Sequence, residues 1–160
     1  MTAMKRKISV LLTLLLGISL YAQSADVITD LLESEKATFG QVCYLAGVQQ
    51  DIISEDTSYE NAVQVLYEKG IIPNSEDPQA PIPLVDIAYI YSRLWPIQGG
   101  LMFRLTKGSP RYAFKQLKTD GIISDDADPN SFVSGREALN ILTACMMEYG
   151  TDESMEMEIE

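Results

Sequence analysis

Apolar residues recur at helical spacing in six stretches of the chain. Val27, Ile28, Leu31 and Leu32 form the first, and Val42, Cys43, Leu45 and Ala46 the second. Ala62, Val65 and Leu66 follow, then Ile87, Ala88, Ile90, Tyr91 and Leu94. Ala113, Phe114 and Leu117 make the fifth, and Ala138, Leu139, Ile141, Leu142 and Cys145 the sixth. Residues three and four apart share one face of a helix, so each stretch predicts an amphipathic helix with one buried stripe. The predicted helices span about 26–36, 38–49, 58–69, 84–95, 110–120 and 135–149, an all-α fold. The segment Pro96–Gly108 reads as a linker or a short extra helix, since Gly99-Gly100 precedes apolar Leu101, Met102, Phe103 and Leu105.

The polar residues at the helix ends agree with these limits. Thr38-Phe39-Gly40-Gln41, Thr57-Ser58-Tyr59-Glu60 and Ser134-Gly135-Arg136-Glu137 each read as a capping box, a hydroxyl residue with Glu or Gln three places on. Ser109-Pro110 reads as an N-cap with proline at the first helical position. Pro83 leads into the fourth helix, with Asp86 in its first turn, where the helix dipole favours an acid. Gly70 and Gly121 stop their helices in the left-handed conformation that glycine tolerates. The isoleucine after each is placed to fold back on the leucine five residues earlier, Ile71 on Leu66 and Ile122 on Leu117.

Two stretches of this pattern are copies. Ser58–Tyr91 aligned without gaps to Ser109–Leu142, an offset of 51, matches at nine of 34 positions. The matches include Leu66/Leu117, Gly70-Ile71-Ile72/Gly121-Ile122-Ile123 and Asp77-Pro78/Asp128-Pro129. They fall on the apolar stripe, the helix stop and the following loop. The chain therefore reads as a duplicated helix–loop–helix unit packed as one helical domain.

Gly70-Ile71-Ile72 with Ile82-Pro83-Leu84-Val85-Asp86, and Gly121-Ile122-Ile123 with Val133-Ser134-Gly135-Arg136-Glu137, resemble S-layer homology repeats. In that family a helix ends in Gly-Ile-Ile, and a loop leads to a Thr-Arg-Ala-Glu start of a second helix. The resemblance covers roughly residues 37–149, as two full units and one half unit. It implies about three repeats around a pseudo-threefold centre and the binding of cell-wall polysaccharide. The family's sugar-binding arginine maps onto Leu84 and Gly135, with Arg136 one place late, about 100° around a helix. The family's leading Phe-x-Asp motif is missing before Ser58 and Ser109.

Outside the helical region, Lys5-Arg6-Lys7 precedes the apolar run 8–20, and small residues follow in Ala22-Gln23-Ser24-Ala25. A basic start, a short apolar run and small residues predict a secretory signal over 1–24, cleaved after Ala22 or Ser24. The expected organisation is that signal, a helical repeat domain over 25–150, and an acidic disordered tail over 151–160. The expected location is the periplasm or cell surface, with no membrane span once the signal is removed. The whole chain carries −11, and removing three basic leader residues leaves −11 − 3 = −14. A net charge of that sign predicts repulsion from nucleic acid and from anionic lipid.

Candidate chemistry is sparse. The chain has no histidine, the commonest general base and metal ligand. No Walker loop, dinucleotide fingerprint, Cys-x-x-Cys or Gly-x-Ser-x-Gly frame occurs, so no enzyme, cofactor or metal is expected. Asp125, Asp126 and Asp128 share a loop but lack the glycine and closing glutamate of a calcium loop. Cys43 and Cys145, the only cysteines, are open to two readings: a disulfide, as export allows, or two small buried hydrophobes. Arg93, Trp95, Arg104 and Arg111 are the candidate ligand contacts, with Arg136 from the resemblance, because arginine and tryptophan anchor binding sites. The opposing reading has Trp95 closing the core and the arginines pairing with surplus acids. The expected function is a non-catalytic exported cell-envelope module that binds wall polymer or supports the envelope. The alternative is a periplasmic or surface protein–protein adaptor on a helical repeat scaffold.

Overall fold

A computed structural model describes residues 27–150, so the expected signal (1–24) and tail (151–160) lie outside the described residues. The described chain is all-α. Helix α1 covers 27–33, followed by α2 (Phe39–Gln49), α3 (Tyr59–Glu68), α4 (Leu84–Ser92), α5 (Leu101–Leu105), α6 (Pro110–Thr119) and α7 (Gly135–Tyr149). None of them is long and apolar enough to cross a membrane.

Three helices, α2, α4 and α7, touch one another, while α3 packs along α2 and α6 along α4. At the centre, each inner helix contributes a fully buried side chain, Cys43 from α2, Tyr91 from α4 and Cys145 from α7. The Tyr91 hydroxyl donates to the carbonyl of Ala138 at 3.2 Å, so its burial leaves no donor unpaired.

The segments that lead into the inner helices are linked by main-chain hydrogen bonds. Phe39 N–H donates to Ala80 C=O and Ile82 N–H to Ala37 C=O, joining the first segment to the second. Leu84 N–H to Ser131 C=O and Val85 N–H to Pro129 C=O join the second to the third. Gly135 N–H to Ser34 C=O and Ala37 N–H to Val133 C=O return from the third to the first. Orphan N–H groups in the first turns of α2, α4 and α7 thus find partners in a neighbouring segment. Ala37, Ile82 and Val133 are all buried at this junction.

The turns after α3 and α6 match in detail. Gly70 and Gly121 have φ of +70° and +75°. Ile71 and Ile72 both donate to Leu66 C=O, and Ile122 and Ile123 both donate to Leu117 C=O. Asp77 and Asp128 accept from the main chain two residues on, at Gln79 and Asn130. A third turn of this kind follows α2, where Asp51 takes φ of +51° and Ile52 and Ile53 both donate to Gly47 C=O.

Several limits differ from expectation. Helix α1 stops at residue 33, because 34–37 leaves the helix to pair with 133–135. Helix α4 stops at Ser92, whose hydroxyl turns back to Tyr89 C=O ahead of Pro96. The cap of α3 is Ser58, accepting from Asn61 N–H, so Thr57 and Glu60 form no capping box. At Thr38 both halves of the box are made. At Ser134 the hydroxyl accepts from Glu137 N–H.

Candidate functional site

The ends of three elements meet at a cleft of about 400 Å³. Lys69, Gly70 and Ile71 come from the turn after α3, Arg93, Trp95 and Ile97 from the exit of α4, and Phe103, Lys107 and Gly108 from α5 and its end. Glycine at 70 and 108 follows from the backbone, since both positions have positive φ. Phe103 fixes the far wall, because its ring lies where a Cβ on Gly99 would be, 2.5 Å away, and 3.1 Å from one on Gly108. Gln116 of α6 holds the start of α5 by accepting from Gly100 N–H at 2.9 Å, and its amide donates to Asp120.

Three cations, Lys69, Arg93 and Lys107, surround this cleft, and all three are exposed. Among the described residues none of them is paired with a carboxylate; Arg93 lies instead over the Tyr89 ring, 5.8 Å from its centroid. Trp95 is half-buried, with part of its indole against the core and part lining the cleft. Such a wall offers a flat apolar ring for stacking and mobile cations for an anion beside it.

The other sequence candidates lie elsewhere. Arg104 lines a separate hollow with Ile97, Gln98 and Gly99. Arg111 borders a groove of about 600 Å³ between α4 and α6, floored by Val85, Phe114 and Pro129 and rimmed by Lys115 and Lys118. Arg136 is exposed on the first turn of α7 and borders neither cavity. Of the five residues expected to bind together, the fold brings together Arg93 and Trp95. Lys69 and Lys107 escaped sequence reading, although Lys69 directly precedes the Gly-Ile-Ile turn and so had to sit beside whatever that turn lines.

The positions of the resembling family's arginine are closed in this chain. Leu84 is buried. At Gly135 an added Cβ would lie 1.9 Å from Leu31 C=O and 2.5 Å from the Ser34 hydroxyl. Cys43 and Cys145 are free thiols, and burial pushes each up to about 12. Among the described residues no group of His, Cys, Asp or Glu is arranged to hold a metal ion. In the Asp125–Asp128 loop, Asp126 accepts from the Ser124 hydroxyl and Asp128 caps its own turn.

The chain matches no family model, no curated protein and no solved structure.

Proposed function

We propose that this chain is a non-catalytic, exported module of the cell envelope that holds an acidic cell-wall polymer in the cleft of Lys69, Arg93, Trp95 and Lys107. The observation that carries the proposal is three exposed, unpaired cations converging on one tryptophan-lined hollow in a chain of net charge −11. In so acidic a protein, cations gathered away from carboxylates offer an anion a local exception to the general repulsion. An indole beside them suits the apolar face of a sugar ring. Export rests on the basic and apolar leader, and the envelope on the likeness to S-layer homology repeats. Because Leu84 and Gly135 close the family's arginine positions, the ligand contacts are assigned to the cleft rather than to the starts of α4 and α7.

Sedimentation with protein-free sacculi tests this. The chain from Ala25 onward is expected to sediment with them. Arg93→Ala with Trp95→Ala is expected to weaken retention by about tenfold or more, as loss of an anchoring pair does. Arg111→Ala, outside the cleft, leaves retention unchanged. Equal retention of all three proteins, or capture of one defined envelope protein with no affinity for sacculi, removes the polymer reading and favours the adaptor.

A further inference from the structure

Net charge hides a segregation of charge along the chain. No Asp or Glu occurs from residue 87 to residue 119, although the chain has 23 acids. Six of the nine basic residues beyond the leader fall within that interval: Arg93, Arg104, Lys107, Arg111, Lys115 and Lys118. The interval folds into the exit of α4, all of α5 and all of α6, with α5 packed on α6. Its six cations therefore lie on or between elements that touch one another, with the flanking acids Asp86 and Asp120 outside the interval, and make this the basic region of the molecule. Among the described residues five of these six cations have no carboxylate partner; Lys115 lies over the Tyr112 ring, while Lys118 lies over Phe114 and its charge reaches Asp126 at the far end of α6.

On this basic region sit three of the large apolar side chains that the fold leaves outside. Leu101 is 71% exposed, Leu105 67% and Met102 47%. They occupy positions i, i+1 and i+4 of the short helix α5, which puts them on one side of it. Phe103 points the other way, against Gly99 and Gly108, and anchors the helix. Three exposed apolar residues on a one-turn projection do not form a groove for a helix or a strand. They form a tip; Arg104 lies within it and Lys107 and Arg111 follow it in sequence, all exposed. Long aliphatic stems let such cations lie along an apolar layer while their charges reach phosphate. An apolar tip with a cationic collar is how a peripheral protein seats on an anionic bilayer, inserting shallowly while its cations sense the surface potential.

We infer that α5 and the adjoining face of α6 dock the domain on an anionic phospholipid surface, with Leu101, Met102 and Leu105 entering the interface. The acidic remainder of the molecule is repelled by that surface, and the repulsion orients the docked domain with α5 downward. The apolar tip is separate from the polymer cleft, since Leu101 and Leu105 line no part of it, although Lys107 borders both.

Vesicle flotation of the chain from Ala25 onward tests it. That form lacks the apolar leader and keeps every residue of the buried core. It is expected to float with phosphatidylcholine vesicles containing about one-third phosphatidylglycerol, and to be released by high salt. With phosphatidylcholine alone it is expected to stay at the bottom. Leu101→Glu with Leu105→Glu is expected to weaken flotation by about tenfold at unchanged melting temperature, since both side chains are exposed. Trp95→Ala, which removes a wall of the cleft and no charge, keeps flotation, so failure of one proposal is separable from failure of the other. In a second readout, a tryptophan placed by Leu101→Trp in a Trp95→Phe chain is quenched by lipids brominated near the headgroup. The inference is overturned by absence of flotation, by flotation that ignores lipid charge or the two leucines, by unquenched Leu101→Trp fluorescence, or by self-association or oligonucleotide binding through these residues without affinity for vesicles.

Discussion

At the scale of single residues, the buried centre carries a measurable proton signature. Burial raises the thiols of Cys43 and Cys145 from 9.0 to about 12, and Tyr91, between them in the core, is raised by burial and then by Cys145 and Cys43. Tyr59 is raised from 10.0 to about 12 by burial and by Asp30, to which its hydroxyl donates. An acid group whose folded value exceeds its unfolded value loses its proton first in the unfolded chain. The associated stability is therefore complete below the unfolded value and disappears as pH rises through the folded one. For the thiols that window runs from 9.0 to about 12. The melting midpoint is expected to hold up to about pH 9 and then fall, more gently in Cys43→Ala with Cys145→Ala. A thiol reagent at pH 8, which needs thiolate and access, is expected to label neither cysteine until denaturant is added. Rapid labelling of the native chain, or a midpoint indifferent to pH up to about 11, counts against this account.

At the scale of elements, the helices were legible because each needs a stripe, a start and a stop, and all three are written locally. Leu66, Gly70 and Ile72 repeat as Leu117, Gly121 and Ile123, and the backbone repeats with them. The matching turn at Asp51-Ile52-Ile53 was missed because aspartate replaces glycine, although the paired isoleucines were there to be seen. The early end of α1 was illegible, since only tertiary pairing with 133–135 stops it. Glycines separate the two kinds of constraint. At Gly121 a Cβ meets nothing within 4 Å, so Gly121→Ala bears only the left-handed backbone, about 1 kcal/mol, and Gly121→Asn less. At Gly135 the Cβ would collide with Leu31 C=O, so Gly135→Ala is expected to cost about 2 kcal/mol or more. Urea denaturation of the three variants checks the order; equal losses at the two alanines would mean that 31–34 does not press on α7.

At the scale of the molecule, the candidate site was half legible. Arg93 and Trp95 were visible as residue types near a helix end. Lys69 and Lys107 were not, because the cleft draws on elements separated along the chain by the whole of α4. The acid-free interval was plain in the sequence but invisible to a single net charge. The circuit of hydrogen bonds linking Ala37, Ile82 and Val133 was not written in any one segment. It predicts that a chain ending before Ser134 loses cooperative structure throughout, because α7 supplies one side of the central triangle. Circular dichroism of such a truncation is expected to show no sharp thermal transition. A residual sharp transition from α2–α6 would show that the units stand alone.

That circuit has a consequence for how the chain comes into being. An open stack of repeats can set its first members before the last are made, but here the pairing at Ser34 waits for Gly135. A ribosome that still holds α7 thus keeps the emerged part from locking. The delay leaves residues 34–133 unlocked until Gly135 has emerged, and then closes the circuit in a single event.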